Sequence, residues 1–133
     1  MRVFLDANVM FSAAWRPDVG LRVLWQRREM ELVTSPYAIE EARRNLPEPA
    51  QLARLEELAG AVGIVPDAPG SSVPLELPEK DRPILAAAIM AGAAVLLTGD
   101  GRHFGPLFGR EIGGVRILTP AMLLRKRPEG TAE

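Results

Sequence analysis

The chain has 133 residues, enough for one domain of ordinary size and not for two. Its 47% hydrophobic and 25% charged residues are the balance of a globular protein, which sets aside the polar, highly charged compositions that stay disordered. The absence of cysteine excludes disulfides, thiolate metal sites and cysteine nucleophiles, and a net charge of -1 means that any contact with a polyanion must come from a local patch or from metal ions.

In chain order, Arg2 to Leu5 is a short apolar run ended by Asp6 and reads as a strand, followed by a helix that runs to Trp15 and stops at Arg16-Pro17. Asp18 is placed to cap a second helix carrying Leu21, Val23, Leu24 and Trp25. Leu32 to Thr34 is the next strand. Ser35-Pro36 then supplies a cap and a first-turn proline for a helix through Leu46, with Ile39, Ala42 and Leu46 at helical spacing. Leu52, Leu55 and Leu58 predict a further helix to Gly60, and Ile64-Val65 a short strand. Pro66 to Pro78, with four prolines, a glycine and two serines, reads as an exposed loop. A helix from about Asp81 to Ala91 is expected next, with Asp81 as cap and Pro83 in its first turn. It leads through Gly92 into the apolar strand Ala94 to Thr98, and Gly99-Asp100-Gly101 turns sharply. Val115 to Leu118 is the last strand and Pro120 opens a terminal helix. Residues 1–124 are expected to form a single unit and 125–133 a polar tail.

Strands that are continuous apolar runs alternating with helices indicate a parallel sheet covered on both faces. The expected class is α/β: a three-layer α/β/α sandwich around a mostly parallel sheet of about four to five strands. The first acid follows only three apolar residues, too few for a signal peptide. The longest apolar stretch, Ile84 to Leu97, falls short of the roughly 20 residues that cross a bilayer. The expected location is the cytoplasm, without a membrane partner.

In open parallel sheets the active site lies at the carboxyl ends of the strands. Asp6 ends the first strand and Asp100 follows the Val95 to Thr98 strand, so both belong at that edge; singly, each also reads as a helix cap or a turn residue. Asp81, at the start of its helix, faces the same edge and is also a natural cap. Glu40 and Glu41 lie inside a helix, and periodicity does not decide which points inward. Several carboxylates kept ionised together need a cation, and oxygen ligands in that number suit Mg²⁺ or Mn²⁺, whose chemistry serves phosphate esters.

Val3-Phe4-Leu5-Asp6-Ala7-Asn8-Val9, then Ser35 through Glu41-Ala42-Arg43 to Leu46, then Asp81 with Ile84 to Ala88, then Leu96-Leu97-Thr98-Gly99-Asp100, together resemble a PIN domain over nearly the whole chain. The resemblance implies a metal-dependent ribonuclease with its acids at Asp6, Glu41, Asp81 and Asp100 on Mg²⁺ or Mn²⁺. It selects Glu41 over Glu40 by its place six residues beyond Ser35, and it gives Asn8 and Thr98 supporting roles. Some family members carry a further carboxylate after the last acid, where this chain reads Gly101-Arg102-His103-Phe104, which leaves a second metal in question. His103 reads as a phosphate or base contact or as a loop residue beside Phe104. Arg102, Arg43 and Arg44 are candidates for the RNA backbone, and Trp15 and Trp25 read as core or dimer-contact residues. Small family members are often VapC-type toxins, dimeric and held by a small antitoxin, so RNA, an antitoxin and a second copy are the implied partners.

Three rivals fit less well. A haloacid-dehalogenase-type phosphatase needs an acid two residues after the first, where Asn8 stands; a response-regulator receiver needs an aspartate after its third strand, where only Asp67 is available. A catalytically silent module of the same fold, binding RNA or protein, is the alternative from another class.

Overall fold

The computed structural model describes residues 1–69, 73 and 77–125. Residues 70–72 and 74–76 of the connection expected at 66–78, and the tail expected beyond Arg125, lie outside the described residues.

Strand β1 (Arg2–Leu5) enters helix α1 (Ala7–Trp15), then a 3-10 segment (Gly20–Gln26), strand β2 (Glu31–Thr34) and helices α2 (Pro36–Asn45) and α3 (Pro49–Gly60). Strand β3 (Gly63–Ile64) follows, and a 3-10 turn (Glu79–Asp81) runs into α4 (Arg82–Met90) and β4 (Val95–Leu97). The chain finishes with α5 (Gly101–Phe104), a 3-10 turn (Gly105–Leu107), β5 (Glu111–Ile112), β6 (Val115–Leu118) and α6 (Pro120–Arg125). Among the described residues the sheet has six strands in the order β3-β2-β1-β4-β6-β5, all parallel except the β5–β6 hairpin. The sixth strand comes from that hairpin: Gly113 and Gly114, both at positive φ, join Ile112 to Val115 in a two-residue turn.

Alternate residues of each strand point to opposite faces, and the core divides accordingly. Val3, Leu5, Leu32, Val95, Leu97 and Leu118 meet Val9, Met10 and Ala13 of α1 and Leu55 and Leu58 of α3 on one side. Phe4, Val33, Leu96 and Ile117 meet Ile84, Leu85 and Ala88 of α4 and Phe104 of α5 on the other. The architecture is therefore the expected three-layer α/β/α sandwich. Each fully buried Leu or Phe on these faces contributes roughly 1.5–3 kcal/mol.

Three local expectations change. Gly20–Gln26 is a 3-10 helix rather than an α-helix. Its cap position is Val19, with no side-chain cap, because Asp18 stands one residue too early and lies instead near Arg16 at 4.0 Å. Arg125 belongs to α6 rather than to the tail. Asp81 holds the cap position of α4 without a cap hydrogen bond: Arg82 N already donates to Glu79 O in the 3-10 turn, and Pro83 in the first turn has no N–H to offer. Its carboxylate is directed elsewhere.

Candidate active site

The carboxyl ends of β1 and β4 lie side by side, with Leu5 paired to Leu97, so the residues that follow them meet. Asp6 N donates to Leu97 O at 3.0 Å, extending the ladder by one rung and placing the Asp6 side chain beside Thr98. Thr98 Oγ1 donates to Asp6 Oδ2 at 2.7 Å and accepts from Asp100 N at 3.1 Å. Asn8, on the first turn of α1, spans the same junction. Its Nδ2 donates to Thr98 Oγ1 at 3.3 Å, and its Oδ1 accepts from Gly99 N at 3.1 Å. Asp6 also accepts from Ala7 N at 2.6 Å, so it is both the cap of α1 and a member of the acidic group.

Asp6, Glu41, Asp81 and Asp100 all line one cleft of about 390 Å³ at this edge, together with Asn8, Phe11, Tyr37, Asn45 and Lys80. The acids come from four different elements, brought together by the parallel pairing of the strands. Glu41 reaches the cleft because Tyr37, Glu41 and Asn45 recur every four residues along one stripe of α2. Glu40, one residue off that stripe, is bonded to Arg43, which also holds Glu56 at 2.7 Å. Arg44 pairs with Glu41 at 3.3 Å. Arg102 is exposed and does not line the cleft, while Trp25 is packed against the α1–α3 core with Nε1 donating to Leu58 O at 3.0 Å. Trp15 is exposed on the far end of α1, its ring 5.3 Å from that of Phe11.

His103 sits behind the acids. Asp100 caps α5 by accepting from His103 N at 3.1 Å, and that turn brings His103 Nδ1 to 2.8 Å from Asp100 Oδ2 and 2.8 Å from Asp81 Oδ2. Neither contact has hydrogen-bond geometry, so Nδ1 and Asp81 Oδ2 are both buried without a hydrogen-bonding partner among the described residues.

Burial dominates the electrostatics. Asp6 is only 5% exposed, and desolvation pushes its carboxyl up to about 6 against the lowering effect of Thr98 and Ala7 N, with the charges of Asp81 and Asp100 adding to the rise. Asp81 is also raised, first by burial, with His103 and Lys80 pulling the other way. Acids in this state gain from a dication. The donor set fits one: carboxylate oxygens at the cleft, an orphaned buried oxygen on Asp81, and one ligand atom each from Asp81, Asp100 and His103 within 4.8 Å of one another.

Lys80, Tyr37, Asn45 and Phe11 were not legible as site residues. The four-residue spacing of Tyr37, Glu41 and Asn45 is the signal that was available for two of them, and Lys80 stands immediately before Asp81.

No family model and no curated protein matches the sequence. Among solved structures, VapBC2 from Rickettsia felis bound to a DNA fragment from their promoter superposes with a TM-score of 0.66 at 14% identity, over 90% of this chain and 98% of that one. The chain has the PIN-like fold. FitAB bound to an IR36 DNA fragment gives a TM-score of 0.58 at 18% identity, over 89% of this chain and 94% of that one. FitAcB from Neisseria gonorrhoeae gives 0.55 at 19% identity, over 90% and 98%. The PIN-like fold thus extends over almost the full length of each neighbouring chain, and the cleft described above lies at the carboxyl edge of its sheet.

Proposed function

We propose that this protein is a metal-dependent ribonuclease, with Asp6, Glu41, Asp81 and Asp100 as its catalytic and metal-holding residues and Mg²⁺ or Mn²⁺ as its cofactor. The observation that carries the reading is the convergence of four acids from four separate elements on one cleft, at the edge where a parallel sheet presents its active site. A divalent cation held by these carboxylates supplies activation of water and neutralisation of charge on the phosphate.

The chain's own residues do the positioning. Thr98 and the Ala7 amide fix both oxygens of Asp6, so its carboxylate has one orientation. Asn8 ties the end of β1 to the turn after β4, which holds the Asp6 and Asp100 backbones at a constant spacing. Lys80 is the cation on the cleft wall, suited to the phosphate backbone of RNA. Tyr37 buttresses it, its hydroxyl donating to Lys80 O at 2.6 Å. Burial of Asp6 and Asp81 leaves little bulk water to screen these charges.

The likeness to the VapBC2 and FitAB complexes supports the toxin half of a two-protein pair with a small antitoxin; RNA and a second copy of this chain as further partners, and a cytoplasmic location, rest on the sequence reading alone. Among the described residues, no helix is long and apolar enough to cross a membrane. The unit expected at 1–124 is the proposed catalytic domain, carried one residue further to Arg125 by helix α6.

The test is cleavage of a mixed structured RNA pool by purified protein with Mg²⁺, Mn²⁺ or EDTA, comparing wild type with Asp6→Asn and Asp100→Asn variants of similar thermal stability. Cation-dependent cleavage lost in both variants is the expected result. Inert wild type, or variants that cut equally well, would sink the nuclease reading and leave a silent RNA- or protein-binding module in its place.

A further inference from the structure

His103 is the only histidine in the chain, and α5 is built so that its imidazole meets two acids at once. Three facts define the arrangement. Nδ1 lies 2.8 Å from Asp81 Oδ2 and 2.8 Å from Asp100 Oδ2. Neither contact is a hydrogen bond by geometry. Asp81, whose residue surface is only 9% exposed, carries its Oδ2 into this group with no other partner.

A buried carboxylate oxygen without a donor costs on the order of 1–3 kcal/mol or more, and a native fold retains such an atom where something binds it. The spacing itself is informative. One ligand atom each from His103, Asp81 and Asp100 lies within 4.8 Å of the others, close enough for all three to share one ion.

We infer that His103 Nδ1 is a direct ligand, with Asp81 and Asp100, of the divalent cation in this site, and that this nitrogen turns the site's preference from Mg²⁺ towards Mn²⁺ or a later transition ion. The inference rests on the metal-dependent reading and adds to it the nature of the ion. Imidazole is a borderline donor that suits transition ions, whereas Mg²⁺ favours an all-oxygen shell that keeps several waters. An all-acid site has no such bias.

The experiment is pulsed electron paramagnetic resonance on tag-free, metal-stripped protein loaded with Mn²⁺, in ¹⁴N form and with ¹⁵N-histidine incorporated. A single histidine makes the assignment unambiguous without a substitution: imidazole nitrogen coupling that switches with the isotope is expected. Titration should also show Mn²⁺ bound more tightly than Mg²⁺. His103→Gln should lower Mn²⁺ affinity by at least the ten- to hundredfold that losing an imidazole's supporting partner costs, with a smaller change for Mg²⁺. Mn²⁺ bound without nitrogen coupling, or no more tightly than Mg²⁺, overturns the ligand assignment, and RNA cleavage in the same preparation then shows that the nuclease reading survives. No binding of either ion and no cleavage overturns both.

Discussion

Thr98 Oγ1 lies 2.7 Å from Asp6 Oδ2, a hydrogen bond between residues 92 positions apart that joins the ends of β1 and β4. The same hydroxyl receives Asp100 N and the Asn8 side chain, so one buried atom organises two acids and the turn between them.

Thr98→Val keeps the shape and removes that atom. Asp100 N and Asn8 then lose an acceptor and Asp6 its donor, which is expected to cost about 1–3 kcal/mol of stability in denaturant titration. Thr98→Ser should recover most of it. A larger loss in Thr98→Ser than in Thr98→Val would mean that the methyl contact, not the hydroxyl, matters.

The raised carboxyl of Asp6 links stability to pH. Its folded value of about 6 lies above the unfolded value near 3.8, so the protonated form is favoured by folding. The associated stability is complete below about pH 4 and is lost as pH rises through about 6. Its full size is on the order of 3 kcal/mol. In EDTA the wild type should therefore melt lower near pH 7.5 than near pH 5. Mn²⁺ should raise the midpoint more at the higher pH, because the ion binds the ionised acids. An Asp6→Asn variant with the same pH slope as wild type would remove Asp6 as the source.

Glu41 and Glu40 separate cleanly by position. Glu41→Gln takes a carboxylate from the cleft wall and should reduce RNA cleavage by about tenfold or more, in line with typical losses of groups that hold metal. Glu40→Gln loses a half-exposed pair with Arg43, worth about 0–1 kcal/mol, and should cut RNA as wild type does. Single-turnover rates at saturating metal decide the matter; a reversed order would put the wrong glutamate in the site.

The β5–β6 turn offers a test away from the chemistry. At Gly113 a Cβ would meet Ile89 Cδ1 at 2.8 Å and φ is +59°, whereas at Gly114 φ is +85° with nothing within 4 Å. Gly113→Ala should cost about 2–3 kcal/mol and Gly114→Ala about 1 kcal/mol, the latter from backbone conformation alone. Calorimetric midpoints of the two variants, with Ile89→Val added to relieve the first, measure the difference. Identical shifts would show that Ile89 yields at no cost.

The central sheet was readable because Val3 to Leu5, Leu32-Val33 and Val95 to Leu97 are apolar runs buried on both faces, with β6 interrupted only by the exposed Arg116. β5 was not, since Arg110-Glu111-Ile112 is short and polar and becomes a strand only through the Gly113-Gly114 turn against β6. Asp6 and Asp100 were visible as acids following strands, whereas periodicity alone left Glu40 and Glu41 open and only the resemblance chose Glu41, the one of the two that lines the cleft. The place of His103 depends on the turn that Asp100 caps, a local geometry that Gly101-Arg102-His103-Phe104 does not announce.

The strand order carries a consequence for how the protein comes into being. β4 lies beside β1 although the two are distant in the chain, and Asp100 comes to Asp6 and Thr98 only once that pairing is made. Any fragment ending before residue 97 lacks the partners that fix Asp6, and one ending before residue 100 also lacks the last acid of the cleft. The proposed site is therefore complete only once the β1–β4 pairing has formed.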